Sequence, residues 1–305
     1  MSIKALSKNR IRKLSPIVIF VYKRPDHLKK TINSLKNCKL SSQSDLIIYS
    51  DSFISDLEKK LVKNVRDYCK KISGFKSVKI IERKKNTGMS KNIILGVKET
   101  LKKHKKGIFL EDDLLLDKYF LEYMNYYLKI YEKNHKVISI HGYSYPTKLK
   151  LPDYFFLKGA DCWGWATWQR GWKIYNNNSN YLQKKIKQKK LIKDFNFNNS
   201  FNYFNLLKKN SVKKNLSWAI NWYASAFSLD RLTLYPGNSL VHNLGNDLSG
   251  TNCKNTKVFN VKLKNRRLNL RPLEIKESSY AKKQFESFFL SIMNLRQKVV
   301  RFFSV

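Results

Sequence analysis

The sequence predicts an α/β fold, with a mostly parallel sheet flanked by helices and a helical C-terminal extension. Three observations predict it. Short apolar, β-branched runs recur through the first third of the chain, a segment with helical apolar spacing follows each run, and each run ends at a polar or charged cluster. Continuous apolar runs suit strands buried on both faces, and alternating strands and helices make parallel sheets. Ligands of such sheets bind beyond the carboxyl ends of the strands.

Taken in order, residues 1–15 form a basic arm carrying Lys4, Lys8, Arg10, Arg12 and Lys13. Pro16 to Tyr22 is the first strand, and Pro25 opens a helix marked by Leu28, Ile32 and Leu35. Leu46 to Tyr49 is the second strand, ending at Ser50-Asp51 before a helix marked by Leu57, Leu61, Val65 and Tyr68. Val78 to Ile81 is the third, followed by the turn Asn86-Thr87-Gly88 and a helix with Ile93, Val97 and Leu101. Ile108 to Leu110 is the fourth, with Phe120, Met124, Tyr127 and Tyr131 on the helix after it. Strands then follow at Val137 to Ile140 and Tyr154 to Leu157, with an antiparallel pairing open to them. Helices joined by loops follow over 181–215, and Ser239 to Cys253 is a polar, Gly-containing loop. A main domain over 16–253 is expected, with an extension over 254–305 that is basic and poorly patterned before an amphipathic helix.

Against 61 Lys+Arg stand 22 Asp+Glu, a net charge of +39. Such a chain attracts anions, whether nucleic acid, anionic membrane or phosphorylated small molecules. Its joint richness in Lys, Asn and Ile also fits AT-rich coding, so part of the charge is read as solvated surface. No helix-turn-helix, RRM or zinc-finger pattern supports a nucleic-acid partner. Cys38, Cys69, Cys162 and Cys253 form no CxxC pair, which points to neither zinc nor a disulfide framework and fits a reducing cytoplasm. The run Ile17 to Tyr22 is too short for a signal-peptide core, and no stretch approaches transmembrane length. The expected place is the cytoplasm, or the inner face of its membrane. On the C-terminal helix, Phe285, Phe288, Phe289, Ile292, Leu295, Val299 and Phe303 share one face and Lys283, Lys298 and Arg301 the other. That face either packs on the domain or lies in an anionic leaflet.

The fourth strand ends in Glu111-Asp112-Asp113, three adjacent acids in a chain poor in acids. Like charges repel, so folding does not favour the cluster unless a cation is near, and hard divalent cations prefer carboxylate oxygen. The alternative is a solvated acidic turn. The first strand carries neither GxGxxG nor GxxxxGK[ST], which disfavours a dinucleotide-binding enzyme or P-loop ATPase. Arg24, Asp51, Asn86 and the triplet all lie just past strand ends.

The ordered set of Arg24-Pro25, Asp51, Asn86-x-Gly88 and Glu111-Asp112-Asp113 resembles GT-A glycosyltransferases. The closest similarity is to bacterial family-2-like sugar transferases, with a distant one to the N-acetylglucosaminyltransferase that initiates complex N-glycans. The stretch FLEDDLLLDKYFLEYMN and Trp163-Gly164-Trp165-Ala166-Thr167-Trp168 are similar to both. The resemblance spans about residues 16–253. It implies a GT-A (nucleotide-diphospho-sugar transferase) fold and an inverting transfer from a nucleoside diphosphate sugar, with UDP the favoured nucleotide. A glycan or lipid-linked acceptor in surface-polysaccharide, lipopolysaccharide or capsule assembly would receive the sugar, with Mn2+ or Mg2+ as cofactor. By the same resemblance Arg24 lies near the nucleotide, Asp51 contacts the base, Asn86 belongs to the donor site, Glu111 and Asp112 lie against ribose and donor sugar, and Asp113 ligates the metal.

Trp163 and Trp165 are candidates for stacking on an acceptor sugar, though at least two of Trp163, Trp165, Trp168 and Trp172 should be structural. His242 could add a metal ligand or bind phosphate, or be structural. In the family the base often comes from an acidic pair after the tryptophan segment. Here that place reads Ser217-Trp218-Ala219-Ile220-Asn221-Trp222, without a carboxylate. Asp161 and Asp247 are the replacement candidates. A binding-competent but inactive scaffold is the remaining alternative.

Overall fold

The structure, a computed structural model, describes residues 13–212, 217–247 and 256–302, with side chains described as far as residue 293. The arm up to residue 12, Cys253, and the side chains of Leu295, Val299 and Phe303 lie outside the described residues.

Three strand–helix units and a fourth strand come first. They are β1 (Ile17–Val21) with α1 (Pro25–Lys36), β2 (Asp45–Ser50) with α2 (Asp56–Lys70), β3 (Ser77–Glu82) with α3 (Met89–His104), and β4 (Lys106–Glu111). After β4 come β5 (Leu114–Leu116), α4 (Phe120–Ile130), β6 (Val137–His141), β7 (Tyr154–Lys158) and β8 (Trp165–Trp168). The helices α5 (Gln169–Trp172), α6 (Ser179–Gln188), α7 (Ile192–Phe195), α8 (Tyr203–Val212) and α9 (Trp218–Ser228) precede β9 (Leu232–Pro236) and β10 (Val241–Asn243). The last helix is α10 (Ser279–Phe302).

The main sheet runs β3-β2-β1-β4-β8-β6-β9-β7. From β3 to β4 every pairing is parallel, as continuous apolar runs predict. Beyond β4 the sheet is mixed. β8 pairs antiparallel with both β4 and β6, β9 returns parallel to β6, and β7 closes antiparallel on β9. The register sets Trp165 opposite both Phe109 and His141. Residues just before β8 are therefore delivered past the carboxyl end of β4, onto the rim where ligands bind in such sheets. A two-stranded ribbon pairs β5 with β10, bringing residues 241–243 beside 114–116.

Trp165 is a core residue. It is 2% exposed, with Phe109, Trp172, Trp218 and Trp222 around it at centroid distances of 4.8 to 5.9 Å. The acceptor-stacking role expected of it is corrected on that ground. Trp168 and Trp172 are buried as well, and Trp163 alone of the four keeps substantial exposed surface.

The extension is better ordered than its composition suggested. Residues 256–278 lie along the domain with Phe259, Val261, Leu268, Leu270, Leu273 and Ile275 packed against the core, and Lys257, Lys262, Lys264, Arg266 and Arg267 exposed between them. The apolar face of α10 is likewise occupied. Ala281, Phe285, Phe288, Phe289 and Ile292 are buried in a cluster with Phe155, Leu157, Tyr223 and Phe227. Over these residues the domain-packing alternative holds, and the face expected to enter a leaflet is covered by protein. Among the described residues no helix is long and apolar enough to cross a membrane.

Truncating a fully buried phenylalanine removes its transfer free energy and leaves a cavity. Phe289→Ala should therefore cost about 3–5 kcal/mol. Urea unfolding followed by circular dichroism checks this; a change under 1 kcal/mol would mean that α10 is dispensable to the fold.

Candidate active site

Helix α1 carries a polar stripe toward β4 and the residues after it. Arg24, His27, Thr31 and Ser34 recur at three- and four-residue spacing, so they share one face. Arg24, Thr31 and Ser34 engage that region, and His27 reaches the loop after β10. Arg24 Nη2 donates to both Asp112 Oδ1 and Asp113 Oδ2, the latter at 2.9 Å. Thr31 Oγ1 donates to the Asp112 carbonyl at 2.7 Å and accepts from Leu114 N at 3.1 Å. Ser34 Oγ accepts from Leu116 N at 3.2 Å. His27 Nε2 meets Asp247 Oδ2 at 3.0 Å.

The polar loop after β10 closes on the triplet from the other side. Leu244 N donates to the Asp113 carbonyl at 2.8 Å, and Asn243 Oδ1 accepts from Gly245 N at 2.7 Å. A Cβ on residue 245 would stand 2.1 Å from Asp113 Oδ2, so only glycine lets the loop approach this closely.

Burial and mutual repulsion set the electrostatics. Burial first, then Asp113 and Asp112, push the Glu111 carboxyl up to about 8. Burial also raises Asp112, to about 6, with Arg24 pulling the other way. Desolvation opposes the charge on Arg24, but Asp112 and Asp113 outweigh it, so its guanidinium stays firmly protonated. Among the described residues Arg24 is the cation that pairs with the triplet, and one guanidinium undercompensates three acids. That donor chemistry fits a hard divalent cation held by one or two carboxylates together with phosphate oxygens, the usual manner of Mg2+. Among the described residues no three His, Cys, Asp or Glu side chains form a ready metal cage, so substrate oxygens would have to complete the shell.

The structure places the other expected residues as follows. Asp51 is buried, and its carboxylate accepts from Ser52 N at 2.9 Å, Thr87 N at 3.0 Å and Thr87 Oγ1 at 3.2 Å. It thereby fixes the turn after β3 rather than capping α2. Asn86 joins it, donating to the Ser52 carbonyl and accepting from Gly88 N at 3.0 Å. Asp161 is partly exposed on the rim beside β4. Its Oδ1 accepts from Cys162 N at 2.8 Å and stands 3.9 Å from His141 Nε2. His141 Nε2 in turn accepts from Trp163 N at 3.0 Å, which orders the approach to β8. His242 sits in β10 opposite Leu115, with Nδ1 accepting from Val261 N at 3.3 Å. That bond ties it to the extension, and burial holds its pKa below the usual range. Asn221 is wholly buried in a network with Ser179, Asn210 and Asn177 and contributes no carboxylate. His27, Thr31 and Gly245 were not singled out in the sequence. The α1 stripe could have revealed the first two; nothing local marks Gly245.

Residues 17–191 match the glycosyl transferase family 2 profile, more than half of the chain. The chain belongs to that glycosyltransferase family. No curated protein sequence matches it. Among solved structures, S. aureus TarS 1-349 in complex with UDP is similar at 13% identity over 46% of this chain and 38% of that one, with a TM-score of 0.33. Glucosyl-3-phosphoglycerate synthase from Mycobacterium tuberculosis, in complex with Mn2+, UDP and glucosyl-3-phosphoglycerate, is similar at 9% identity over 63% of this chain and 71% of that one, at a TM-score of 0.35. The matches to TarS span 25% to 45% of the TarS chains.

The raised Glu111 pKa has a stability consequence. A carboxyl whose folded pKa lies above its unfolded value favours the fold at low pH, and that contribution fades as pH rises through the folded pKa. Without divalent cation, thermal stability should fall between about pH 5 and 8. Glu111→Gln should flatten the fall, and Mn2+ should raise the melting temperature more at pH 8 than at pH 6. Scanning fluorimetry across that range decides; an unchanged pH profile in Glu111→Gln would separate Glu111 from the effect.

Proposed function

We propose that this glycosyltransferase moves a sugar from a nucleoside diphosphate sugar to an acceptor hydroxyl with inversion at the anomeric carbon. The observation that carries the reading is the pair Asp112 and Asp113, converging on one guanidinium at the carboxyl end of β4. A diphosphate brought there meets Arg24 directly. Asp113, backed by Asp112, would hold Mn2+ or Mg2+, which when bound offsets charge on the diphosphate. Asp51 and Asn86 shape the turn on the nucleotide side, and Glu111 lies toward the sugar.

Asp161 is the better placed of the two base candidates. It stands on the rim past β4, partly open to solvent, whereas Asp247 is committed to His27. Its carboxylate would take the acceptor proton as the oxygen attacks the anomeric carbon in line. Trp163, half-buried at the same rim, would line the acceptor side. UDP is the nucleotide to test first, and a glycan or lipid-linked acceptor suits a surface-polysaccharide role.

A second reading, an inactive donor-binding scaffold, is favoured by Asn221, which sits where an acid was expected. Turnover separates the two. With UDP-sugar and Mn2+, Asp113→Asn and Gly245→Ala should weaken donor binding at least about tenfold by calorimetry, the loss of one charge-assisted contact. Asp161→Asn should bind donor normally yet lose about 10²–10⁴ in turnover. Wild-type binding without any turnover would establish the scaffold reading, and full turnover in Asp161→Asn would remove Asp161 as the base.

A further inference from the structure

The register between β6 and β8 stops at the pair His141 and Trp165. One residue beyond it, Gly142 N donates to the Gly164 carbonyl at 2.7 Å. The chain turns there, and Gly164 holds a φ of 66°, a conformation that favours glycine. The neighbouring N–H, that of Trp163, has left the ladder and donates to His141 Nε2 at 3.0 Å. A side chain thus continues what the strand backbone began. Two residues before Trp163 stands Asp161, whose Oδ1 accepts from Cys162 N at 2.8 Å. The imidazole lies wholly buried beneath this partly exposed turn.

The Trp163 bond fixes where the ring carries its proton. Nε2 accepts, so the neutral imidazole is protonated on Nδ1. Burial favours that neutral form, with Asp161 pulling the other way. The rings of Tyr143 and Tyr235 pack edge-on against it at 6.4 and 5.1 Å, and burial keeps both phenols protonated. Among the described residues Nδ1 meets no acceptor at full hydrogen-bond geometry, and the Tyr143 backbone offers it a weaker one. A poorly paired buried N–H costs stability, so packing by itself would be served better by an apolar side chain. The gain lies at Nε2. Asp161 Oδ1 stands 3.9 Å from it, too far for a hydrogen bond. A protonated Nε2 would release Trp163 N and turn to that carboxylate as a cation. With a lone pair there instead, the carboxylate keeps its bond from Cys162 N and remains able to take a proton.

We propose that His141 is a positioning residue for the transfer: its unprotonated Nε2 holds the turn from Asp161 to Trp163 and leaves the Asp161 carboxylate free for the acceptor proton. The inference rests on the glycosyl-transfer reading above. Two amides test it. Glutamine can place its oxygen where Nε2 stands, whereas that of asparagine stops at the Nδ1 position, short of Trp163 N. In nitrogen-15 spectra the His141 signals, identified by their loss in His141→Gln, should show the proton on Nδ1. With Mn2+ and a panel of UDP-glucose, UDP-galactose and UDP-N-acetylglucosamine, turnover should fall about 10–100-fold in His141→Asn, the effect of a misplaced group. It should stay within about threefold of the wild type in His141→Gln, and UDP affinity by calorimetry should be unchanged in both. A proton on Nε2, or equal turnover in all three proteins, overturns the proposal. Should His141→Asn fail to fold, the Trp163 amide decides: slow deuterium exchange in the wild type and in His141→Gln is expected, and fast exchange in the wild type overturns the proposal. Wild-type binding of UDP without turnover of any donor overturns the base role of Asp161 and this proposal with it. UDP that fails to bind the wild type overturns the donor reading, and a proton found on Nδ1 then still supports the arrangement at His141.

Discussion

Everything at the rim depends on keeping three carboxylates together at the end of one buried strand. Two unit charges about 4 Å apart repel by roughly 4 kcal/mol at an effective dielectric of 20. The fold meets this with placement. β1 lies between β2 and β4, so the residue after β1 emerges beside the residue after β4. Arg24 follows three residues past the end of β1, and Pro25 behind it starts α1 at once, a position where a missing N–H costs nothing. One guanidinium then spans Asp112 and Asp113. Among the described residues no lysine or arginine pairs with Glu111, and burial first, then its acidic neighbours, raise its pKa.

The same helix shows how much of the site was legible in the sequence. Apolar spacing at Leu28, Ile32 and Leu35 revealed α1 and its buried face. The polar stripe Arg24, His27, Thr31 and Ser34 is equally periodic. It escaped notice because polar residues on a helix are ordinarily solvent-facing, and only the tertiary partner shows otherwise. The parallel half of the sheet was legible for a related reason, since buried strands must be apolar throughout. The antiparallel insertion of β8 was not. Its pairing joins residues far apart in sequence, and Trp165 reads equally well as a sugar platform or a core plug until Phe109 is found opposite it. The loop 244–247 was recognisably polar and glycine-containing, but its meeting with Asp113 depends on the β5–β10 ribbon, which no local pattern encodes.

The C-terminal helix makes the limit sharper. An amphipathic face records that something apolar will cover it, not what. Phe285, Phe288, Phe289 and Ile292 would suit a leaflet or a core, and the decision is made by Phe155, Leu157, Tyr223 and Phe227, which are themselves in need of a cover. Basic residues opposite such a face count for little as a membrane signal when Lys and Arg outnumber Asp and Glu nearly threefold along the whole chain.

Charge is therefore informative where it departs from that background. With a net charge of +39, the chain sets up a field that draws anions of any kind toward the protein. Steering cannot by itself select the site. Selection comes from the few places where acids are concentrated and cations scarce. At the triplet, burial makes undercompensated negative charge costly, so an anion arriving with a divalent cation would gain more there than a bare one. A long-range field that favours any anion therefore differs in kind from the short-range imbalance at Glu111, Asp112 and Asp113, which favours an anion only together with its cation.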